Sequence, residues 1–126
     1  MVLLLAQVLL DDDVRIPELA TQINNTAPKV PQSVWNELQS MQGQLDAAFT
    51  SLGEVYVPAG FEASNGWLVE ATTAMGDRIY ATVQGIEAMW NTNSVSAATK
   101  YFDQGRAARN KYRAAFQKFQ NTVPID

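Results

Sequence analysis

The chain has 126 residues, a formal net charge of −4, 47% hydrophobic and 17% charged residues, and neither cysteine nor histidine. Length and apolar content fit one globular domain around a single core and exclude a disordered or fibrous chain. Without Cys or His there can be no disulfide, thiolate zinc site, iron–sulfur cluster, thiol catalysis, axial haem histidine or helical di-iron Glu-x-x-His pair, so no cofactor is expected.

The chain opens with an almost continuous apolar run, Met1 to Leu10. Ten residues span about half of a bilayer core. No Lys or Arg precedes the run and no small-x-small cleavage pattern follows it. It is predicted to be the end of a core-facing helix, and no transmembrane segment is expected. The alternative is the remnant of a signal or anchor whose upstream part lies outside this sequence. Asp11-Asp12-Asp13 lacks the alternating ligands, turn glycine and distal Glu of a calcium loop, and is predicted to be a solvated helix end or turn. Pro17 suits the first turn of a new helix, with Glu18 beside it and Leu19, Ala20, Ile23 and Ala27 on one side. The first helix, over 3–25, is thus predicted to be short or broken near 11–17. Asn24-Asn25-Thr26 matches a glycosylation sequon, which matters only in a secreted eukaryotic protein.

Ala27-Pro28-Lys29-Val30-Pro31 reads as a linker, with Pro31 opening a second helix over 31–55. Its stripe of Val34, Leu38, Met41, Leu45, Ala48, Leu52 and Val55 steps by four and three throughout. Gly53 and Tyr56-Val57-Pro58-Ala59-Gly60 end it. A third helix over 61–91 carries Leu68, Ala71, Met75, Ile79, Val83, Ile86 and Met89 or Trp90 on one face. A fourth over 94–120 carries Ala98, Phe102, Gly105, Ala108, Tyr112, Phe116 and Phe119. The link Asn91-Thr92-Asn93-Ser94 is so short that these two arms must be antiparallel neighbours. Asn93 or Ser94 is predicted to cap the fourth helix. Gly105, on the last stripe, is expected to admit a close helix neighbour, whereas Gly43, Gly76 and Gly85 read as bends. Trp35, Trp67 and Trp90 lie on or beside the stripes and are expected to pack at seams. The fold class is all-α, an antiparallel up-down four-helix bundle of three long helices plus a shorter or broken N-terminal one, forming a single domain over 1–126.

Charge is segregated along the chain. Residues 100–118 hold six of the nine basic side chains and one acid, a net of +5, against −9 elsewhere. Arg106, Arg109 and Arg113 recur at steps of three and four and so share one edge of the last helix. That edge could pair with Glu37, Asp46, Glu70 and Glu87 of neighbouring helices. It could instead contact a protein partner or a small anionic ligand through forked hydrogen bonds. Nucleic acid is disfavoured by a pI near 4.7, since counterion release rewards a broad positive surface.

No phosphate-binding loop, dinucleotide fingerprint or nucleophile elbow occurs. A narrow bundle is expected to offer little concavity for catalysis, so the chain is not expected to be an enzyme. Asn, Gln, Ser and Thr supply 33 residues, a neutral polar surface that points to an extracytoplasmic protein. Tyr56-Val57-Pro58-Ala59-Gly60-Phe61, the Ala- and Thr-rich helix after it and the Ala-rich stretch Ser94 to Phe119 resemble the helical extracytoplasmic domains of uncharacterised bacterial envelope proteins, many of them lipoproteins. The resemblance covers about half of the chain. It implies an extracytoplasmic bundle, although the acylated cysteine of a lipoprotein is absent from this sequence. The reading for function is a non-catalytic binding or interaction module. A sensor for a small anionic ligand and an assembly subunit acting as a homo-oligomer are the alternatives.

Overall fold

The computed structural model describes residues 2–53 and 60–122. The predicted end of the second helix at 55 and the turn Tyr56–Ala59 lie outside the described residues. Among the described residues four helices follow in order: α1 (Val2–Thr26), α2 (Gln32–Gly53), α3 (Glu62–Thr92) and α4 (Thr99–Thr122), with a 3-10 turn, Ser96–Ala98, ahead of α4. They form an all-α four-helix bundle. No helix among the described residues is long and apolar enough to cross a membrane.

The helix α1 corrects the sequence reading, because it runs unbroken through Asp11–Asp13 and Pro17. The cause is a stripe that becomes visible only when the helix is drawn straight through: Leu5, Leu9, Asp12, Ile16, Leu19 and Ile23, all buried. A proline inside a helix costs about 3 kcal/mol. Burying five aliphatic side chains contributes on the order of 10 kcal/mol before entropy. Burial wins, and Pro17 is carried on an exposed face. Having no amide hydrogen, it leaves the carbonyl of Asp13 without an intrahelical donor.

The central element is α3. Its buried residues Leu68, Ala71, Met75, Ile79, Ile86 and Met89 face all three other helices. The most extensive interface is with α4, through Tyr112, Ala115, Phe116 and Phe119. At the far end of this pair, Ser64 Oγ donates to the carbonyl of Thr122 at 2.7 Å. The helix α2 covers α1 and α3 with Val34, Leu38, Met41 and Leu45. At one end of the bundle Trp90 Nε1 donates to the Val30 carbonyl at 2.9 Å, and its ring tilts against Trp35 with centroids 6.4 Å apart. This ties the α1–α2 turn to the end of α3. Trp67 is likewise half-buried at a seam, under the ammonium of Lys118.

Among the described residues, no Cα of α1 lies within 8 Å of a Cα of α4. Side chains alone bridge that seam. Tyr112 donates its hydroxyl hydrogen to the Leu9 carbonyl at 3.3 Å, and Arg113 reaches Asp13 at 3.4 Å.

Two local expectations change. Asn93 does not cap α4; it closes α3 in the left-handed conformation (φ 50°, ψ 38°), which Asn tolerates better than most residues. Ser94 bonds to Ser96 at 2.9 Å, and no side chain caps the 3-10 turn. The α3 helix does lie in contact with Gly105, where a Cβ would stand 3.9 Å from the Arg78 carbonyl oxygen, but the position that cannot take a side chain is Gly85. A Cβ at Gly105 would meet nothing nearer than Ala81 Cβ at 3.8 Å, whereas one at Gly85 would lie 2.5 Å from the Phe102 ring. Gly85 is thus a seat for Phe102 and not a bend. Gly85→Ala is expected to destabilise by about 1 kcal/mol, since overpacking costs ~1–3 kcal/mol and the better helix former returns ~1. Urea unfolding of the variant checks this, and equal or greater stability would show that the ring moves aside freely.

Candidate functional site

The widened α1–α4 seam holds the candidate site. Because these two backbones stay apart while α3 touches both, a cleft of about 290 Å³ opens with α3 as its floor. Its α1 wall is apolar, made of Ile16, Pro17, Ala20 and Ile23, with the amide of Asn24 at the end. The α4 wall carries Phe102 and Gly105 and then Arg106, Arg109 and Arg113; Arg78 and Thr82 lie on the floor. All three arginines singled out by their spacing therefore line one concavity. The expectation of little concavity is corrected at this seam. A fourth arginine, Arg78, was not singled out.

The acids that meet these arginines are not those expected. Glu37 is held by Arg15 through both carboxylate oxygens, one of them at 2.8 Å from Nη2. The Arg15 guanidinium keeps the Glu37 carboxyl below its usual range. Asp46 accepts from Gln42 at 3.2 Å. Among the described residues, neither Glu70 nor Glu87 pairs with the arginine edge. Instead Asp13 takes Arg78 at 2.7 Å and Arg113 at 3.4 Å, and Asp103 takes Arg106 one helical turn away.

The aspartate triplet is accordingly not a solvated helix end. Its three side chains diverge. Asp11 accepts from Gln7 in solvent at 2.8 Å, Asp12 points into the core, and Asp13 turns toward α3 and α4. The Arg78 side chain is only 6% exposed and Asp13 25%, so this bridge sits largely out of water. Burial lowers the pKa of Arg78, Asp13 opposes that, and the positive charges of Arg113 and Arg109 lower it further. The floor of the cleft thus feels both neighbouring guanidinium groups.

One level deeper, Asp12 occupies a core position of the α1 stripe. It is 5% exposed, and its Oδ2 has no hydrogen-bond partner. Burial, with help from the charge of Asp11, pushes its carboxyl up to about 6 against the pull of Arg78. Burial likewise raises the pKa of the Tyr112 phenol.

Arg109 differs from its neighbours. It is half-buried on the cleft wall, and among the described residues its polar contacts are two weak ones to Asn110 Oδ1 at 3.4 Å. No acid pairs with it among the described residues. Four guanidinium groups thus line a cleft in which Asp13 and Asp103 are their only acidic partners among the described residues, leaving two positive charges over. Such an arrangement is chemically suited to an anion. On the floor, Thr82 Oγ1 donates to the Arg78 carbonyl at 2.9 Å.

Comparison of the chain with known protein families, with curated proteins and with solved structures finds no match.

Proposed function

We propose that this protein is a non-catalytic helical binding module that holds an anionic group in the cleft between α1, α3 and α4. The observation that carries this reading is Arg109, a half-buried guanidinium on a concave wall without an acidic partner among the described residues. A charge so placed has lost part of its hydration, and a bound carboxylate or phosphate would restore it through charge-assisted hydrogen bonds. The resemblance to envelope-protein domains and the neutral polar surface support placing this activity outside a bacterial cytoplasm. The net charge of −4 disfavours nucleic acid as the anion.

Arg109→Gln tests the site. Because Arg109 is in no ion pair among the described residues, the change is expected to alter stability by less than about 0.5 kcal/mol. It should nevertheless cut any anion-induced rise in melting temperature by about half or more. Saturation at about 100 times the dissociation constant adds ~2.7 kcal/mol to the wild type, so the contrast is measurable by differential scanning fluorimetry. A variant that keeps the full rise would move the site elsewhere.

A second reading, self-association, is favoured by Leu10 and Val14, exposed one turn apart on the outer face of α1 at 41% and 69%. It predicts a mass that grows with concentration in sedimentation. A strict monomer removes it.

A further inference from the structure

The lining of the cleft is divided, and the division specifies more than charge. Ile16, Ala20 and Ile23 present hydrocarbon from α1, Phe102 adds an aromatic ring from α4, and Arg106 and Arg109 stand beside it. The ring is held at that wall by Gly85, whose missing side chain leaves the space into which Phe102 settles. A small, fully hydrated anion such as phosphate would satisfy the guanidinium groups and leave the hydrocarbon wall against water. An uncharged apolar molecule would do the reverse and strand Arg109. Only a molecule with both halves matches both walls. A volume of about 290 Å³ suits a compact body that the two walls can cover.

We infer that the cleft takes a small organic monocarboxylate with an aromatic or branched aliphatic body, its carboxylate on Arg109 and Arg106 and its body between Ile16, Ile23 and Phe102. This rests on the anion reading of the same cleft and adds the class of ligand. Arg106 can join because its partner Asp103 lies on the exposed face of its own helix, where both side chains are about 60% exposed and the pair is worth little. Arg113 and Arg78 stay with Asp13 and supply field without direct contact.

The probes are benzoate and 4-methylpentanoate, with benzamide, acetate, phosphate and malonate as counterparts, titrated into the full chain and followed by NMR shifts and calorimetry. Benzoate and 4-methylpentanoate should bind at one site. Acetate, lacking the body, and benzamide, lacking the charge, should each bind about tenfold or more weakly, as expected for the loss of several buried methylenes or of one charged hydrogen-bond pair. Arg109→Gln should reduce benzoate affinity by about tenfold to a hundredfold. Ala20→Glu places a competing carboxylate from an exposed position of α1. It should leave the helical circular dichroism signal and melting temperature nearly unchanged while abolishing benzoate binding. If phosphate or malonate binds at Arg109 and benzoate does not, the anion reading stands and the monocarboxylate class is wrong. Were none of the six to perturb cleft resonances, both would fall. Binding of benzoate that survives Ala20→Glu would place its body outside this cleft and overturn the inference.

Discussion

Arg78→Met should cost the fold about 3 kcal/mol and lower the melting temperature by about 10 °C. Arg78 is the one basic side chain in the described core, and its bond to Asp13 at 2.7 Å joins α3 to α1. Breaking a buried pair typically costs ~3–5 kcal/mol because the remaining charge stays out of water without compensation. The lower end applies here, since Asp13 is 25% exposed and retains Arg113 at 3.4 Å. Stability totals only about 5–15 kcal/mol for a domain of this kind, so the loss is conspicuous in chemical denaturation. The double variant Arg78→Met/Asp13→Leu should recover most of it, because no charge is then left buried. Adding salt should barely shrink the difference, as screening acts weakly on pairs withdrawn from solvent. A cost below about 1 kcal/mol would mean that water reaches the pair and that the floor of the cleft is less enclosed than its geometry indicates.

Asp12→Asn should stabilise the protein at neutral pH, by about 2–3 kcal/mol, and remove a pH dependence. The folded Asp12 carboxyl titrates near 6 against an ordinary 3.8. Between those values the folded chain holds a proton that the unfolded chain has released, so stability falls as pH rises through the window. Below about pH 4 both states carry the proton and the penalty vanishes. Above about pH 6 both are ionised, and the full cost of about 3 kcal/mol applies. Asparagine has no charge to desolvate. The two stability curves should therefore coincide in acid, separate between about pH 4 and 6, and run parallel above. The Glu37 ion pair acts with the opposite sign, losing its contribution as pH falls through its lowered pKa, but it is common to both proteins and cancels. Curves parallel across the whole range would show that Asp12 is hydrated in solution.

Steps of three and four made α2, α3 and α4 legible because each is an uninterrupted stripe with polar residues between. The same rule failed on α1, where Asp11–Asp13 and Pro17 are strong local breakers. What overrides them is tertiary burial of Leu5, Leu9, Ile16, Leu19 and Ile23, and nothing in a short window reports that. Drawn as one helix, the sequence does carry the clue, since Asp12 falls between Leu9 and Ile16 at core spacing. At the candidate site, Arg106, Arg109 and Arg113 were readable because one helix edge carries all three. Arg78 was not. It is the one basic residue of α3, beside Asp77, and local reading assigns such a charge to a solvated face. Its partner stands 65 residues earlier in the chain, and a pairing between distant helices leaves no periodic trace. For the same reason spacing does not reveal that Glu37, one of the four acids available to the arginine edge, is held by Arg15 across the α1–α2 seam.

The seam between α1 and α4 has no backbone contact among the described residues and is spanned by one phenol and one guanidinium. Packed interfaces resist displacement steeply, because interior atoms have no space to give, whereas long side chains rotate about several bonds and lengthen or shorten their reach at little expense. The mouth of the cleft is therefore compliant while its floor is stiff. On the proposed reading, guests of somewhat different girth would be accommodated by swinging Arg106 and Arg109 alone, with the α3–α4 pair held still beneath them.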